Sequence, residues 1–330
     1  MTIGLAGLGG IGKVHLSNYQ HITDCKVIGI CDPSAEAKET AAEKGIPVFP
    51  DLKTMLAAEK PDVVDICAPS FLHYTLVIQA LNGGCHVICE KPLALKSKDA
   101  QEMYALAEQQ GLQLLVGHVL QFFPASKVLH EIVKDKRYGK ALDAVFLRLS
   151  GCPRWAKDGW LLDKNKSGLL PFDLHIHDLD LMISLFGKPE SFKTISGGRE
   201  NAGYEEYYRI LYQYAGPAGH TQLHVCCEAA WYNADIPFTA SWRVYFEKAV
   251  VICENGKLTA YSFDSPPQEF DIEEKLKIPT GINLPPTGVF FEELGFFLER
   301  IRSGTKEQYR KDDIIALIEI LEDITGAPSE

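Results

Sequence analysis

The sequence predicts a two-domain α/β protein, with a doubly wound parallel sheet at 1–120 and an α+β domain with a mostly antiparallel sheet at 121–330. Short apolar runs alternate with helix-like segments over about the first 118 residues, as expected for repeated βα units. A glycine-rich turn directly follows the first apolar run. After Pro124 the pattern changes to longer strand-like stretches. These observations separate two domains of different architecture.

The elements of the first domain follow one another mainly in strand–helix order. The strand-like runs are residues 2–6, 26–31, 63–67, 85–89 and 113–117. The helix-like runs are residues 11–20, 34–44, 51–58, 72–82 and 97–110. Several strands are almost continuous apolar runs, which is typical of parallel strands covered by helices on both faces. Ligands of such sheets bind beyond the carboxyl ends of the strands, so residues at that edge are functional candidates.

The second domain is predicted to be richer in strands. Its strand-like stretches are residues 144–149, 207–214, 220–231, 238–246 and 249–252, and its helix-like stretches are 125–136 and 174–186. The segment 311–325 has apolar residues at helical spacing. We expect it to form an amphipathic helix that packs back on the first domain.

The first apolar run leads into a G-x-G-x-x-G pattern, and the next strand-like run ends at Asp32. The candidate cofactor residues in this stretch are Gly7, Gly9, Gly10, Ile11, Gly12 and Asp32. Gly7 permits a tight turn, Gly9 lets the backbone approach a pyrophosphate, and Gly12 lets the helix pack closely on the strand. The helix N-terminus then offers N–H groups to the diphosphate. A glycine-rich turn that binds nothing is the alternative, and it leaves Asp32 unexplained.

A carboxylate at Asp32 can accept hydrogen bonds from the ribose hydroxyls of a dinucleotide and should repel a 2′-phosphate. The sequence therefore favours NAD over NADP. Ser34 and Lys38 lie close enough in sequence to leave NADP possible.

Composition excludes several classes of partner. The net charge is −11 and there is no basic run, which argues against nucleic acid as a ligand. No apolar stretch approaches the roughly 20 residues of a membrane span. The nine cysteines include no C-x-x-C pair and are typical of reduced core thiols. Because the sequence begins directly with a core strand, we expect no signal peptide and a cytoplasmic protein.

Further motifs resemble those of the glucose–fructose oxidoreductase / inositol dehydrogenase / MocA (Gfo/Idh/MocA) family. They are Pro69 with His73, Glu90-Lys91-Pro92, Gly117-His118, and the Asp173–Asp178 segment. The resemblance implies an N-terminal Rossmann domain that binds NAD(P). It also implies a C-terminal domain that binds a sugar, a polyol such as an inositol, or a related small molecule. That domain's large open sheet would make oligomer contacts, so we expect a homodimer or homotetramer. The implied reaction is the reversible oxidation of a secondary alcohol to a ketone.

The resemblance assigns three catalytic residues. Lys91 would contact the reacting hydroxyl and the nicotinamide ribose, His177 would act as general acid/base, and Asp173 would bind substrate hydroxyls or tune its neighbours. Asp173 and His177 are four residues apart, which places them on one face of a helix. The structural alternatives are a solvated lysine, an aspartate that stabilises a helix N-terminus and a core histidine. Pro69, His73, Glu90 and Lys91 are implied to line the cofactor site.

Other residues are candidates on the substrate side. They are His118, Trp155, Trp160 and His175. The two tryptophans could stack on a sugar ring or pack internally. His175 could bind substrate or merely fill space. His175 and His177 point about 200° apart on a helix, which suits a single metal ion poorly, so we expect no metal.

Two departures from the family pattern bear on function. Gln121 stands where an arginine is common, which favours a neutral sugar or polyol over an anionic substrate. Ser70 replaces a common asparagine and could weaken one cofactor contact. Two other functions remain open besides that of an NAD(P)-dependent dehydrogenase. One is a redox-neutral enzyme with tightly bound NAD that acts on glycosides, and the other is a non-catalytic NAD-binding regulator.

Overall fold

The computed structural model describes residues 1–215 and 221–326. Residues 216–220 and 327–330 lie outside the described residues; they include the first residue of the predicted 220–231 strand and the end of the predicted second domain. The chain divides into two compact units. The first comprises Met1–Phe122 and Glu274–Ile318, and the second comprises Phe123–Glu273 and Glu319–Glu330.

The first unit contains a parallel sheet with helices between its strands, as predicted. Its strands are β1 (Thr2–Ala6), β2 (Lys26–Cys31), β3 (Val48–Phe49), β4 (Val63–Ile66), β5 (His86–Glu90) and β6 (Leu114–Gly117). Their order in the sheet is β3-β2-β1-β4-β5-β6, and all neighbours pair in parallel. The prediction missed β3, because a two-residue edge strand has too few residues to show a period.

Five helices connect these strands. They are α1 (Gly10–Tyr19), α2 (Ala35–Ala42), α3 (Leu52–Glu59), α4 (His73–Asn82) and α5 (Ser97–Gln110). Local chemistry fixes several of their ends. The Ser34 hydroxyl accepts the Ala37 N–H at the start of α2, and the Asp51 carboxylate accepts the Thr54 N–H at the start of α3. At the end of α5, Gly111 takes the left-handed conformation (φ 68°) that favours glycine.

The second unit is built on an eight-stranded sheet. Its strands are β7 (Ala141–Gly151), β8 (Ser191–Gly197), β9 (Tyr207–Ala215), β10 (Thr221–Tyr232), β11 (Thr239–Phe246), β12 (Val250–Glu254), β13 (Lys257–Tyr261) and β14 (Gln268–Phe270). The order is β14-β13-β12-β11-β7-β10-β9-β8. Strands β7 and β10 pair in parallel, and the other neighbouring pairs are antiparallel. This confirms the predicted mostly antiparallel α+β domain.

Three helices precede most of that sheet in sequence. They are α6 (Pro124–Lys134), α7 (Lys164–Ser167) and α8 (Ile176–Phe186). A π-helical turn, Pro171–His175, leads directly into α8, and the Ile176 N–H donates to the Pro171 carbonyl. The sequence predicted one continuous helix over 174–186, so the π turn is a departure from that prediction.

Two further helices follow the eight-stranded sheet in sequence, α9 (Val289–Arg302) and α10 (Lys311–Thr325). Apolar residues of α9, including Leu294 and Phe297, join the core of the first unit. The α9 helix therefore covers the parallel sheet although it lies far along the chain. At the start of α10, Lys311 pairs with Glu108 at 2.7 Å. Among the described residues, no helix has the length and apolarity needed to cross a membrane.

Candidate active site

The glycine turn between β1 and α1 is held by close backbone packing. Gly7 has a φ of 96°, and a Cβ atom there would lie 2.7 Å from the Cys67 carbonyl oxygen. A Cβ at Gly12 would lie 2.2 Å from the Gly7 carbonyl oxygen. Around Gly9, by contrast, no atom of the described residues beyond Gly9 and its two chain neighbours lies within 4 Å of the Cβ position. The fold therefore requires glycine at positions 7 and 12, whereas the open space beside Gly9 fits a ligand.

This contrast predicts different results for two alanine substitutions. Gly12→Ala should lower the free energy of unfolding by about 2–3 kcal/mol, because the turn must shift to admit the methyl group. Gly9→Ala should leave the melting temperature of the apoprotein unchanged, since Gly9 has an ordinary φ of −72°. It should raise the Kd for NAD by about 10–100-fold, the loss expected for a charge-assisted hydrogen bond. Calorimetry of both variants measures their stability and their Kd for NAD. An equal loss of stability in the two variants would contradict the predicted contrast.

Asp32 follows β2 and lies against the glycine turn. Its Oδ2 accepts the Leu8 N–H at 2.8 Å, and its Oδ1 accepts the Ser34 N–H at 2.8 Å. Both oxygens are thus oriented by backbone donors. A carboxylate fixed beside the turn fits the ribose-binding role predicted for it.

The carboxyl ends of neighbouring strands bring several predicted residues to one edge of the parallel sheet. The residues at this edge are Asp32 after β2, Gly7 after β1, Pro69 after β4, Lys91 after β5 and His118 after β6. Lys91 is half-buried and His118 is buried. Motifs that lie far apart in the sequence therefore meet at one edge of the sheet.

Glu90 supports the residue that follows it. Its Oε2 accepts the Lys91 N–H at 3.1 Å, and its Oε1 lies 2.8 Å from where a Gly117 Cβ would stand. Glu90 is buried, and the Lys91–Pro92 peptide bond is cis. Glu90 thus holds the start of the turn on which Lys91 stands.

His73 uses both of its ring nitrogens on backbone carbonyls. Nδ1 lies 2.7 Å from the Pro92 oxygen, and Nε2 lies 2.8 Å from the Ala68 oxygen. Burial lowers the pKa of His73, while the two carbonyl contacts and Glu90 act in the opposite direction. His73 therefore ties the end of β4 to the turn that follows β5, and this places it as a support of that turn.

In the second unit, Asp173 lies in the π-helical turn and His177 lies in the first turn of α8. Both side chains are half-buried. Single π turns inside helices occur frequently at functional sites. The two residues are therefore presented by adjacent turns of different geometry, where the sequence predicted one regular helical face.

His175, between them, is a core residue. It is fully buried, its Nε2 shares a hydrogen bond with the Tyr212 hydroxyl at 2.7 Å, and the two rings stack. Burial lowers the pKa of His175 to about 4, so the ring is neutral near pH 7. These contacts correspond to the space-filling role, and we do not carry His175 into the proposed substrate set.

The remaining candidates differ in exposure. Trp155 is 78% exposed, in the segment between β7 and α7, and Trp160 in the same segment is half-buried.

Asp178 makes a buried ion pair with Arg148, with Oδ–N distances of 2.9 and 2.6 Å. That pair gives Asp178 a structural role.

Sequence reasoning missed a group of buried polar residues beneath the cofactor edge. His15 on α1 lies 2.8 Å from Asp65 on β4 and 3.3 Å from Glu90 on β5, and Glu293 on α9 lies nearby. One signal was present, since Asp65 interrupts an otherwise apolar strand. No local pattern pointed to its partners, which come from distant parts of the chain.

Comparisons with known proteins agree with this architecture. Residues 1–118 match the profile of an oxidoreductase family with an NAD-binding Rossmann fold, and residues 127–259 match the GFO/IDH/MocA C-terminal domain. D-glucoside 3-dehydrogenase of Escherichia coli is 34% identical over 195 residues, covering 57% of this chain and 55% of that protein. A 2,7-anhydro-N-acetylneuraminate hydratase of Mediterraneibacter gnavus is 30% identical over 173 residues, covering 52% and 46%.

The solved structure of UDP-N-acetylglucosamine 3-dehydrogenase from Acidithiobacillus ferrooxidans has the same fold. It superposes with a TM-score of 0.79 at 21% identity, covering 99% of this chain and 97% of that one. In sequence, the chain spans about half the length of the curated relatives it matches.

Proposed function

Because this chain belongs to the Gfo/Idh/MocA oxidoreductase family, with an NAD-binding Rossmann domain, we propose that it is an NAD-dependent dehydrogenase. It would interconvert a secondary alcohol and a ketone on a sugar, a polyol or a related small substrate. The observation that carries the proposal is the placement of Lys91. This lysine stands at the sheet edge that also carries the glycine turn, on a backbone turn held by Glu90 and His73.

The chemistry divides among a few side chains. Bound NAD supplies the nicotinamide ring that accepts a hydride from the carbinol carbon. Lys91 orients the reacting hydroxyl through its ammonium or amine group. We assign the transfer of the hydroxyl proton to His177, because histidine is the side chain type that exchanges a proton near neutral pH, and the binding of neighbouring hydroxyls to Asp173.

The substrate class rests on two observations. The named relatives include a D-glucoside 3-dehydrogenase and a UDP-N-acetylglucosamine 3-dehydrogenase, so secondary hydroxyls of sugar units are the first candidates. Gln121 offers an amide where the family resemblance implies an arginine. An amide suits a neutral hydroxyl better than a carboxylate or phosphate, and this favours a neutral sugar or polyol.

A second candidate function is a redox-neutral reaction with retained NAD, which the hydratase relative favours. The two functions differ in the fate of the cofactor. The protein as purified is assayed for bound NAD and then mixed with substrate and excess NAD. Accumulation of NADH beyond one equivalent supports the dehydrogenase. Product formation with no net NADH, together with NAD that does not exchange, supports the redox-neutral enzyme.

Cofactor choice is predicted to depend on the charge at position 32. Asp32→Asn keeps an acceptor oxygen beside the turn and removes the charge that repels a 2′-phosphate. The ratio of the Kd for NADP to the Kd for NAD should fall by about tenfold, a typical value for one charge-assisted contact. Fluorescence titration with NADH and NADPH measures both constants. Glu39→Gln on α2 is the control for a general charge effect, and an equal shift there would contradict the assignment.

We further propose that the second unit forms homodimers or homotetramers through one face of its sheet. Leu211, Cys226 and Val145 pair across neighbouring strands and therefore lie on that face. Val145 also pairs with Arg243, which puts Tyr245, two residues further along β11, on the same face, and both Tyr245 and Tyr261 pair with Val250. Leu211 is 37%, Tyr245 46% and Tyr261 47% exposed. Exposed large apolar side chains grouped on one sheet face are typical of protein–protein contacts.

Light scattering on the intact protein tests this assembly. The double variant Leu211→Lys/Tyr245→Lys should reduce the measured mass to that of one chain, because it places two charges in the apolar face. Leu276→Lys, at a leucine that is also 37% exposed but lies in the first unit, should leave the mass unchanged. A wild-type mass of one chain at micromolar concentration would overturn the proposal.

A further inference from the structure

A cluster of buried polar side chains lies beneath the cofactor edge of the first unit. This His15 cluster consists of His15 and Tyr19 on α1, Asp65 and Cys67 at the end of β4, Glu90 on β5 and Glu293 on α9. All six residues are at least nine-tenths buried. Burying several ionisable groups together is costly unless each is paired, so their arrangement needs a physical explanation.

One side of the cluster fixes the protonation of His15 Nδ1. The Asp65 Oδ2 atom lies 2.8 Å from His15 Nδ1 and accepts the Tyr19 hydroxyl at 2.9 Å. The Cys67 thiol lies 3.6 Å from Asp65 Oδ1. Asp65 is an acceptor for two donors, the Tyr19 hydroxyl and the Cys67 thiol, so a nitrogen 2.8 Å from its Oδ2 is best placed as a donor. Nδ1 of His15 accordingly carries a proton.

The other side of the ring faces two carboxyl groups. His15 Nε2 lies 3.3 Å from Glu90 Oε1, and one ring nitrogen of His15 and one carboxyl oxygen each of Glu90 and Glu293 lie within 4.8 Å of one another. The Phe290 ring completes the surroundings, with its centroid 6.0 Å from that of His15. A bare nitrogen lone pair directed at carboxylate oxygens is repelled, whereas an N–H in the same place is attracted. The geometry therefore calls for a proton on Nε2 as well.

The electrostatics agree with that conclusion. Burial lowers the pKa of His15, but the Asp65 carboxylate beside it acts in the opposite direction, and the pKa lies well above its usual value of 6.5. The resulting imidazolium would stand between the Asp65 and Glu90 carboxylates. It links α1, which begins at the glycine turn, with β5, which ends directly before the candidate catalytic lysine.

We propose that His15 is a positioning residue: held by Asp65 and protonated on both nitrogens, it fixes Glu90 and, through Glu90, the backbone of Lys91. Glu90 Oε1 faces His15, while Glu90 Oε2 accepts the Lys91 N–H at 3.1 Å. On the far side of Lys91, the Pro92 carbonyl is held by His73. Two buried histidines thus secure the residues that flank Lys91. The catalytic consequence rests on the proposed function, in which Lys91 orients the substrate hydroxyl.

Two substitutions of His15 separate this role from simple core filling. The amide nitrogen of glutamine can replace Nε2 and reach Glu90, whereas that of asparagine can replace Nδ1 and reach only Asp65. His15→Asn should lower kcat by about tenfold or more, the value of a lost contact with a charged group, with a smaller change in KM. His15→Gln should retain kcat within about threefold, since its amide N–H can take the place of Nε2 beside Glu90. Equal losses, or better retention in His15→Asn, would overturn the proposal.

Nuclear magnetic resonance tests the same inference without any substrate. At pH 7, the side-chain nitrogen shifts of His15 should show both nitrogens protonated, and Glu90→Gln should lower the pH at which Nε2 loses its proton. The Lys91 backbone amide signal should move in His15→Asn and stay near its wild-type position in His15→Gln. A neutral His15 ring, or an equivalent of bound metal ion in the purified protein, would overturn the proposal. If these signatures hold while no substrate is turned over, the proposed function fails and the anchoring of Lys91 stands.

Discussion

Replacing Lys91 with alanine should lower kcat by a factor of about 10²–10⁴, the range expected when a positioned proton-transfer or orienting group is lost. The substitution removes the cation from the sheet edge and leaves the turn in place, because Glu90 contacts the Lys91 backbone N–H rather than its side chain. The glycine turn and Asp32 are untouched by the change. The Kd for NAD should therefore stay within about threefold of the wild-type value, well under the effect of one lost hydrogen bond to a charged group.

Steady-state rates and NAD titrations on the same preparation measure the two effects. Lys98→Ala is a matched control, since Lys98 is an exposed lysine only a few residues away on α5. It should leave both constants unchanged. Full activity in Lys91→Ala would remove this lysine from the mechanism, and loss of NAD binding in that variant would make it a cofactor residue instead.

Asp178→Ala should lower the free energy of unfolding by about 3–5 kcal/mol, the usual cost of leaving one partner of a buried ion pair alone. Arg148 is 7% and Asp178 2% exposed, and their side chains form two parallel hydrogen bonds. Without the carboxylate, the Arg148 guanidinium keeps its charge in an apolar environment. The effect should be large because arginine cannot lose its proton near neutral pH.

Chemical denaturation monitored by circular dichroism measures this loss. The double variant Arg148→Met/Asp178→Leu should recover most of the stability, since replacing a buried pair with apolar groups is often neutral. Lys188→Ala breaks an exposed 2.8 Å pair with Glu319 and should cost no more than about 1 kcal/mol. A cost of that small size for Asp178→Ala would contradict the assignment of a buried structural pair.

The sequence predicted those parts of the molecule whose signals are local. Continuous apolar runs identified the strands of the parallel sheet, and a glycine pattern with an acid at the following strand end identified the cofactor turn. The two-residue strand β3 was too short to show any pattern. The π turn at Pro171–His175 was also missed, because it differs from an α-helix by a single hydrogen-bond register.

The candidate site shows the same limit. Lys91, Asp173 and His177 were predicted because each lies in a short recognisable motif. The residues around Glu90 were not predicted, since His15, Asp65 and Glu293 lie on separate elements that only the folded chain brings together. His73 was identified by its position, but its contacts with two backbone carbonyls could not be read from sequence.

The central claim is the oxidation of a secondary alcohol by NAD, and absorbance at 340 nm measures it directly. Purified protein is assayed with NAD, and in parallel with NADP, across inositols, aldoses, glucosides and their amino and acidic derivatives. We expect NADH formation with at least one neutral sugar or polyol, a smaller rate with NADP, and loss of the signal in Lys91→Ala. Absence of any signal across the panel, in protein shown to bind NAD, would contradict the dehydrogenase assignment.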